Sequence, residues 1–308
     1  MPPRPKILVS LRRPHYLQAC IQLSLFAYWG WYWKPVYSFA PWLLAQVLFA
    51  YLFDFAYAWA RGRDYVLGFG NFPIVFSINL FIWFKPPYLW AQFALIAFAL
   101  LAKDLLRWQR DGRRTHIFNP SSFPLAVVSV LLLATGTTNL TWGPEIATTQ
   151  FYPPNMYLFL FALGLPGQFF FGVTPMTMSA VLTTYLFGLA YHATSGIYFF
   201  YDSYIPISVF LGMHLLFTDP ATAPRSAPGR LLFGAIYGAT TVILYQVLGR
   251  LGLPTFYDKL LQVPFMNLAV RAIDRYLPTP QVRRELYMPV WATAFALLLF
   301  FGGVGDTH

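Results

Sequence analysis

The sequence predicts an all-α polytopic membrane protein of two inverted five-helix repeats and one extra C-terminal transmembrane helix. Three observations predict it. Hydrophobic residues make up 57% of the 308 positions and charged residues only 10%, whereas a soluble domain carries about 25% charged residues. Apolar runs near the roughly 20 residues that a bilayer requires recur along the whole chain. A proline frame also occurs twice inside apolar segments. Asn71-Phe72-Pro73-Ile74 leads to Lys85-Pro86-Pro87, and Tyr204-Ile205-Pro206-Ile207 leads to Thr218-Asp219-Pro220. Pro73 and Pro206 stand as far apart as Pro87 and Pro220, and Phe84 and Phe217 share that spacing. Paired broken segments of this kind mark transporter-like folds, whose working site lies where the broken helices meet.

The expected spans follow in order. Residues 15–33 form the first, with Cys20 inside it and tyrosine and tryptophan from Trp29 to Tyr37 as an interfacial belt. Residues 41–60 form the second and carry the carboxylate of Asp54. Residues 71–84 form a short third span, entered through Gly68 and Gly70. The fourth covers 88–106 and the fifth 119–134, opened by Asn119-Pro120. The sixth to ninth cover 156–171, 176–193, 204–217 and 231–248. The tenth covers 256–270, with Asp258, Lys259, Arg271, Asp274 and Arg275 at its ends, and 289–301 is an eleventh outside the repeat. Five spans per half is odd, so the second half is inverted. Leu125-Ala126-Val127 and Leu268-Ala269-Val270 echo one another in the fifth and tenth spans.

The division expected is therefore a cytosolic segment 1–14, a first repeat 15–136, an outer linker 137–155, an inverted repeat 156–277, and an extra helix with tail 278–308. Short spans cannot cross lipid alone and must be wrapped by protein or line a polar cavity.

The net charge is +10, but its distribution excludes a nucleic-acid role. Basic residues cluster before the first span, at Arg61 and Arg63, from Lys103 to Arg114, and from Arg271 to Arg284, while residues 115–224 contain no Lys or Arg. This is the positive-inside pattern of a multi-pass protein of the cell (inner) membrane with a cytoplasmic N-terminus. A single cysteine excludes an intramolecular disulfide. No Gly-x-Gly-x-x-Gly, P-loop or zinc spacing occurs, and no metal site is expected.

Four places could carry chemistry. His116 to Pro124 enters the fifth span, with Asn119 and Ser121 at a helix start. Its plain role is an N-cap; its functional role is to offer free N–H groups to an anionic or carbonyl-bearing ligand. Asp219, Thr222 and Arg225 follow the eighth span, where an acidic residue is expected to be paired. Asp54 is either a functional intramembrane carboxylate or a partner of Arg61 or Arg63. His214 is either a cofactor ligand or an interhelical hydrogen-bonder.

Phe118-Asn119-Pro120, Phe217-Thr218-Asp219-Pro220-Ala221-Thr222-Ala223 and Gly229-Arg230-Leu231-Leu232-Phe233-Gly234-Ala235 resemble the D subunit of Rnf-type electron transport complexes. They also resemble the related B subunit of sodium-pumping NADH:quinone reductase, and a shorter UnbU-type branch belongs to the same superfamily. The resemblance runs from about residue 15 to 277. It implies ten helices in two inverted halves, as in urea transporters, and a flavin-carrying subunit that relays electrons and is coupled to ion movement. Flavinylated members attach FMN at a motif close to Ser/Thr-Gly-Ala-Thr in the outer loop. Here that loop reads Glu145-Ile146-Ala147-Thr148-Thr149, where Thr148 follows an alanine but the glycine is absent, so Thr148 is the candidate covalent position and a non-covalent flavin (FMN or riboflavin) is the expectation.

The resulting expectation is an electron-transfer subunit holding a flavin or quinone between the halves. Asn71, Ser77, Asn79, Asn119, Ser121, Ser208, His214, Asp219, Thr222 and Arg225 would line or border the site. The alternatives are a transporter or channel for a small polar solute or natural product, and a cofactor-free structural subunit. The lipid membrane is the partner in each case, with further membrane or redox subunits docking on the basic strip at Lys103–Arg114.

Overall fold

The computed structural model describes residues 6–110, 112–201, 203–278 and 282–303. Parts of the segments 1–14 and 278–308 therefore lie outside the described residues. Twelve α-helices are described: α1 (Arg13–Tyr32), α2 (Pro35–Ala60), α3 (Phe72–Asn79), α4 (Leu89–Leu105), α5 (Ser122–Thr135), α6 (Gly143–Thr149), α7 (Met156–Phe171), α8 (Thr174–Ser195), α9 (Ile207–Leu215), α10 (Ala227–Arg250), α11 (Val263–Tyr276) and α12 (Arg284–Phe301). Helices α2, α10 and α12 are long and apolar enough to cross a membrane. On α2, Leu44, Leu48 and Leu52 form an exposed ladder at helical spacing, a surface suited to lipid.

The two proline frames become two short buried helices, α3 and α9. Every residue from Pro73 to Phe84 is buried, as is every residue from Ile207 to His214. Each helix stops early because side chains take the carbonyls at its end. At α3, Asn79 Nδ2 donates to the Val75 carbonyl and Trp83 Nε1 to the Asn79 carbonyl. At α9, Thr218 Oγ1 donates to the His214 carbonyl, while Asn119 Nδ2 and Ser122 Oγ both donate to that of Leu216. Irregular backbone is thus kept away from any lipid-facing surface.

The tenth expected span is corrected. Residues Thr255–Lys259 form a 3-10 turn, and the helix covers Val263–Tyr276. Pro264 in the first turn sets the start, because its missing N–H and fixed φ suit only that position. Helices α2 and α12 begin earlier than expected and run through Pro41 and Pro289. Four short strands and α6 had no signal in hydropathy. Strand β1 (Ile7–Val9) pairs in parallel with β2 (Tyr65–Leu67). Strands β3 (Arg107–Arg110) and β4 (Arg113–His116) form a hairpin from the basic strip, turning at Gly112 with φ +69.

Helix α1 packs on α2 and α3, α2 on α3 and α4, and α4 on α5; α7 packs on α8 and α9, α8 on α9 and α10, and α10 on α11. Helices α1 and α7 touch, as do α5 and α11. The α8–α10 contact is the closest. A Cβ at Gly234 would lie 2.1 Å from the Met176 carbonyl oxygen, and one at Gly238 would lie 2.7 Å from that of Ala180. Gly234 and Gly238 are a small-xxx-small pair that lets two helix backbones meet. Helix α12 leans on the second group, with Phe295 stacked on Phe161 at 3.9 Å.

Charged contacts collect at one end. Asp104 binds Arg63 at 2.6 Å and Arg107 at 2.8 Å. Arg110 binds Asp274 at 2.5 Å and also donates to the Ala221 and Ala223 carbonyls. Arg271 reaches the Gln109 carbonyl and covers the Trp108 ring.

Candidate functional site

A cavity of about 150 Å³ lies among α1, α3, α5, α7 and α9. Its room comes from missing side chains, since Gly164 and Gly167 on α7 both face it. Pro166 stands between them inside the helix and removes one helical hydrogen bond at that level. Polar residues from five places converge on the wall: His15 and Gln18, Ser77, Asn119 and Ser121, Gln168, and His214 with Asp219. Lys103 lines it from the end of α4.

Of the residues singled out in the sequence, Ser77, Asn119, Ser121, His214 and Asp219 share this cavity. Thr222 borders it by hydrogen-bonding Asp219 Oδ2 at 3.3 Å. Asn71 lies in an adjoining charged vestibule of about 330 Å³, where it donates to Asp54 Oδ2 at 3.3 Å. The vestibule shares His15, Gly70 and Lys103 with the cavity. Asp54 therefore pairs with Asn71, and Arg63 is taken by Asp104 rather than by Asp54.

Four residues fall elsewhere. Asn79 sits in a buried network with Gln46 and Gln92 that closes the end of α3. Ser208 and Thr148 line a third pocket, of about 370 Å³, together with the buried pair Asp258–Lys259. Thr148 is exposed, and its hydroxyl donates to the Pro144 carbonyl. Arg225 is exposed, with its backbone N–H on Asp274.

The start of α5 offers no free N–H groups, contrary to the functional role the motif was given. Asn119 Oδ1 accepts from the N–H groups of Ser121 and Ser122, and from Ser121 Oγ. Asn119 N–H donates to Asn267 Oδ1 on α11. With its Nδ2 on the Leu216 carbonyl, Asn119 is fully engaged and ties α5, α9 and α11 together. The plain role, a cap, prevails.

Asp219 is paired: His116 Nε2 lies 2.8 Å from its Oδ2, and the Ala221 N–H donates to its Oδ1. Burial pushes its carboxyl up, but His116, the Ala221 N–H and the Thr222 hydroxyl outweigh that and hold it below the ordinary value. Lys103 makes no ion pair among the described residues, and sits in the field of both Asp54 and Asp219.

The residue that sequence reasoning missed is Gln168. It is 2% exposed, and neither its Oε1 nor its Nε2 has a hydrogen-bond partner. His214 Nε2 is unpartnered too, at 3% exposure. The signal available was a lone glutamine in an apolar run beside two glycines and a proline, Gly164-Leu165-Pro166-Gly167-Gln168. Among the described residues, no group of three or more His, Cys, Asp or Glu side chains could hold a metal ion.

A benzene-sized molecule fills a cavity of about 150 Å³. The three fused rings of a flavin exceed this one, and Phe171 is the one aromatic carbon ring on its wall. The residues present do not fit a flavin ring within the cavity alone. No protein-family model, no curated protein and no solved structure matches the chain.

Proposed function

We propose that the chain is a multi-pass membrane protein that passes a small polar solute through the cavity between two inverted five-helix halves. The halves are residues 15–136 and 156–277, with α6 in the linker and α12 added. The pattern of helix contacts supports the repeat: each pairing among α1–α5 that involves α1, α2 or α5 has a counterpart among α7–α11. The contacts between halves, α1 with α7 and α5 with α11, join equivalent helices. The gathering of arginines at one end supports placing that end in the cytosol.

The observation that carries the reading is the cavity itself. It is small, walled by both proline-bracketed helices, and lined by Gln168 and His214, two residues whose buried polar atoms lack partners. A buried polar group without a partner costs about 1–3 kcal/mol, so two such residues on one cavity favour a polar occupant. Access differs on the two sides. The vestibule continues the cavity towards the basic end through His15, Gly70 and Lys103. Towards the other end, α9 carries Ser208 in the third pocket and His214 in the cavity, about 9 Å apart at helical rise. The residues between them are buried and seal the path. A solute entering from the basic end would thus reach a closed midpoint, and release on the far side requires α9 to shift. The test is solute flux in proteoliposomes against protein-free vesicles. Rates no faster than the bilayer's own, for every small polar solute tried, would overturn the reading.

A second reading, an electron-transfer subunit resembling the Rnf D and NADH:quinone reductase B subunits, has one observation in its favour. Asn119-Pro120 and Asp219-Pro220, from two of the segments that carry the resemblance, line the same cavity. A single-ring quinone head matches its size, and the basic β3–β4 hairpin is the place for a redox partner. Visible absorption of the purified protein, before and after acid denaturation, tests for a flavin. Extraction and chromatography test for a quinone.

A further inference from the structure

The cavity wall carries a hydrogen-bonding pattern that discriminates among small solutes. His214 Nδ1 lies 2.8 Å from the Phe210 carbonyl oxygen. A carbonyl only accepts, so Nδ1 carries the proton. In the neutral ring Nε2 is then a bare acceptor. An imidazolium here would be a buried charge without a hydrogen-bonded carboxylate, which is costly. Gln168 adds one unpartnered acceptor, Oε1, and one unpartnered double donor, Nε2. The two residues flank one spot: a Cβ on Gly164 would lie 3.0 Å from both Gln168 Nε2 and His214 Cδ2. A methyl group at 164 would press on both side chains, so glycine leaves them their places.

Two acceptors and one NH₂ group therefore remain unmet at one place. An anion brings acceptors alone. It could satisfy Gln168 Nε2 but would set its charge against Gln168 Oε1 and His214 Nε2. A molecule with an NH₂ group beside a carbonyl satisfies all three, and an amide laid on the Gln168 amide makes two parallel hydrogen bonds.

We infer that the cavity takes a small neutral solute of the primary-amide class in preference to the anion of the same shape. This rests on the transport reading for its route, but on Gln168 and His214 for its chemistry. Acetamide and acetate are the probes, being nearly isosteric and small enough for the cavity. Uptake into proteoliposomes of the full chain is measured at alkaline pH, where acetate is ionised. Protection against thermal unfolding in detergent is measured in parallel with both probes.

Acetamide should enter faster than in protein-free vesicles and raise the unfolding temperature, with acetate doing neither. His214→Phe should raise the half-saturating acetamide concentration about tenfold, the effect of one lost buried hydrogen bond, and Gln168→Met, which loses two, about a hundredfold. Acetate flux without acetamide flux overturns the solute class and leaves transport standing. Protection by acetamide without flux supports the class and overturns transport. If neither probe acts in either assay, water suffices for Gln168 and His214 and the inference fails. Should a variant misfold, the comparison of the two probes on the unmodified chain still decides.

Discussion

Replacing Gln168 by methionine should make the protein more stable while weakening its solute response. The side chain is 2% exposed and both its polar atoms lack partners. Methionine keeps the unbranched length, removes the two polar atoms and adapts to irregular space. An unpartnered buried amide costs about 1–3 kcal/mol in protein series, so Gln168→Met should gain stability of that order. The apparent unfolding temperature should rise by roughly 2–4 °C for each kcal/mol. Gln92→Met is the matched control. Gln92 is equally buried, but its Nε2 donates to Asn79 Oδ1 and the Ile82 carbonyl, and its Oε1 accepts from the Phe84 N–H. That variant should lose about 1–3 kcal/mol or more, because it strands those groups. Both are read by thermal unfolding of purified protein, with buried Trp29, Trp83 and Trp291 as fluorescent reporters. Equal destabilisation of the two variants would refute the reasoning, since Gln168 would then have partners in the folded protein and no call on a ligand.

Three further outcomes are expected. Asn119→Ala strands the Ser121 and Ser122 N–H groups and leaves the Leu216 carbonyl to Ser122 Oγ alone, and should cost about 2 kcal/mol or more in unfolding free energy through the lost cap and buried bonds. Arg110→Ala leaves Asp274 and two loop carbonyls without their guanidinium; at 9% side-chain exposure it should cost about 3–5 kcal/mol and make the 219–224 loop an early site of protease cleavage. Asp219 has a depressed carboxyl, so its stabilisation is complete above the unfolded value near 3.9 and is lost as pH falls through the lower folded value. The unfolding temperature of the unmodified chain should therefore drop more steeply below about pH 3.9 than that of Asp219→Asn, as measured by a series of thermal scans.

The contrast between α7 and α11 shows how much of this fold the amino-acid sequence carries. The expected span 156–171 is helix α7 end to end, because Asn155 and Gly172 bracket it with left-handed backbone and the helix continues through its internal Pro166. The expected span 256–270 is displaced in α11. There the apolar run crosses two prolines, and hydropathy cannot say which one starts the helix. The paired proline frames marked α3 and α9 correctly as broken and buried, since a short apolar segment closed by proline has no other low-energy place. The candidate site was legible only where a motif declared it. Asn119, His214 and Asp219 were found, yet Asn119 proved to be the hub that holds three helices rather than a ligand group. Its role depends on carbonyls nearly a hundred residues away, which no local pattern encodes. Gln168 was missed for the complementary reason. A single neutral amide in an apolar helix carries no charge, spacing or motif, and its meaning arises when the folded chain leaves it beside His214 with nothing to bind.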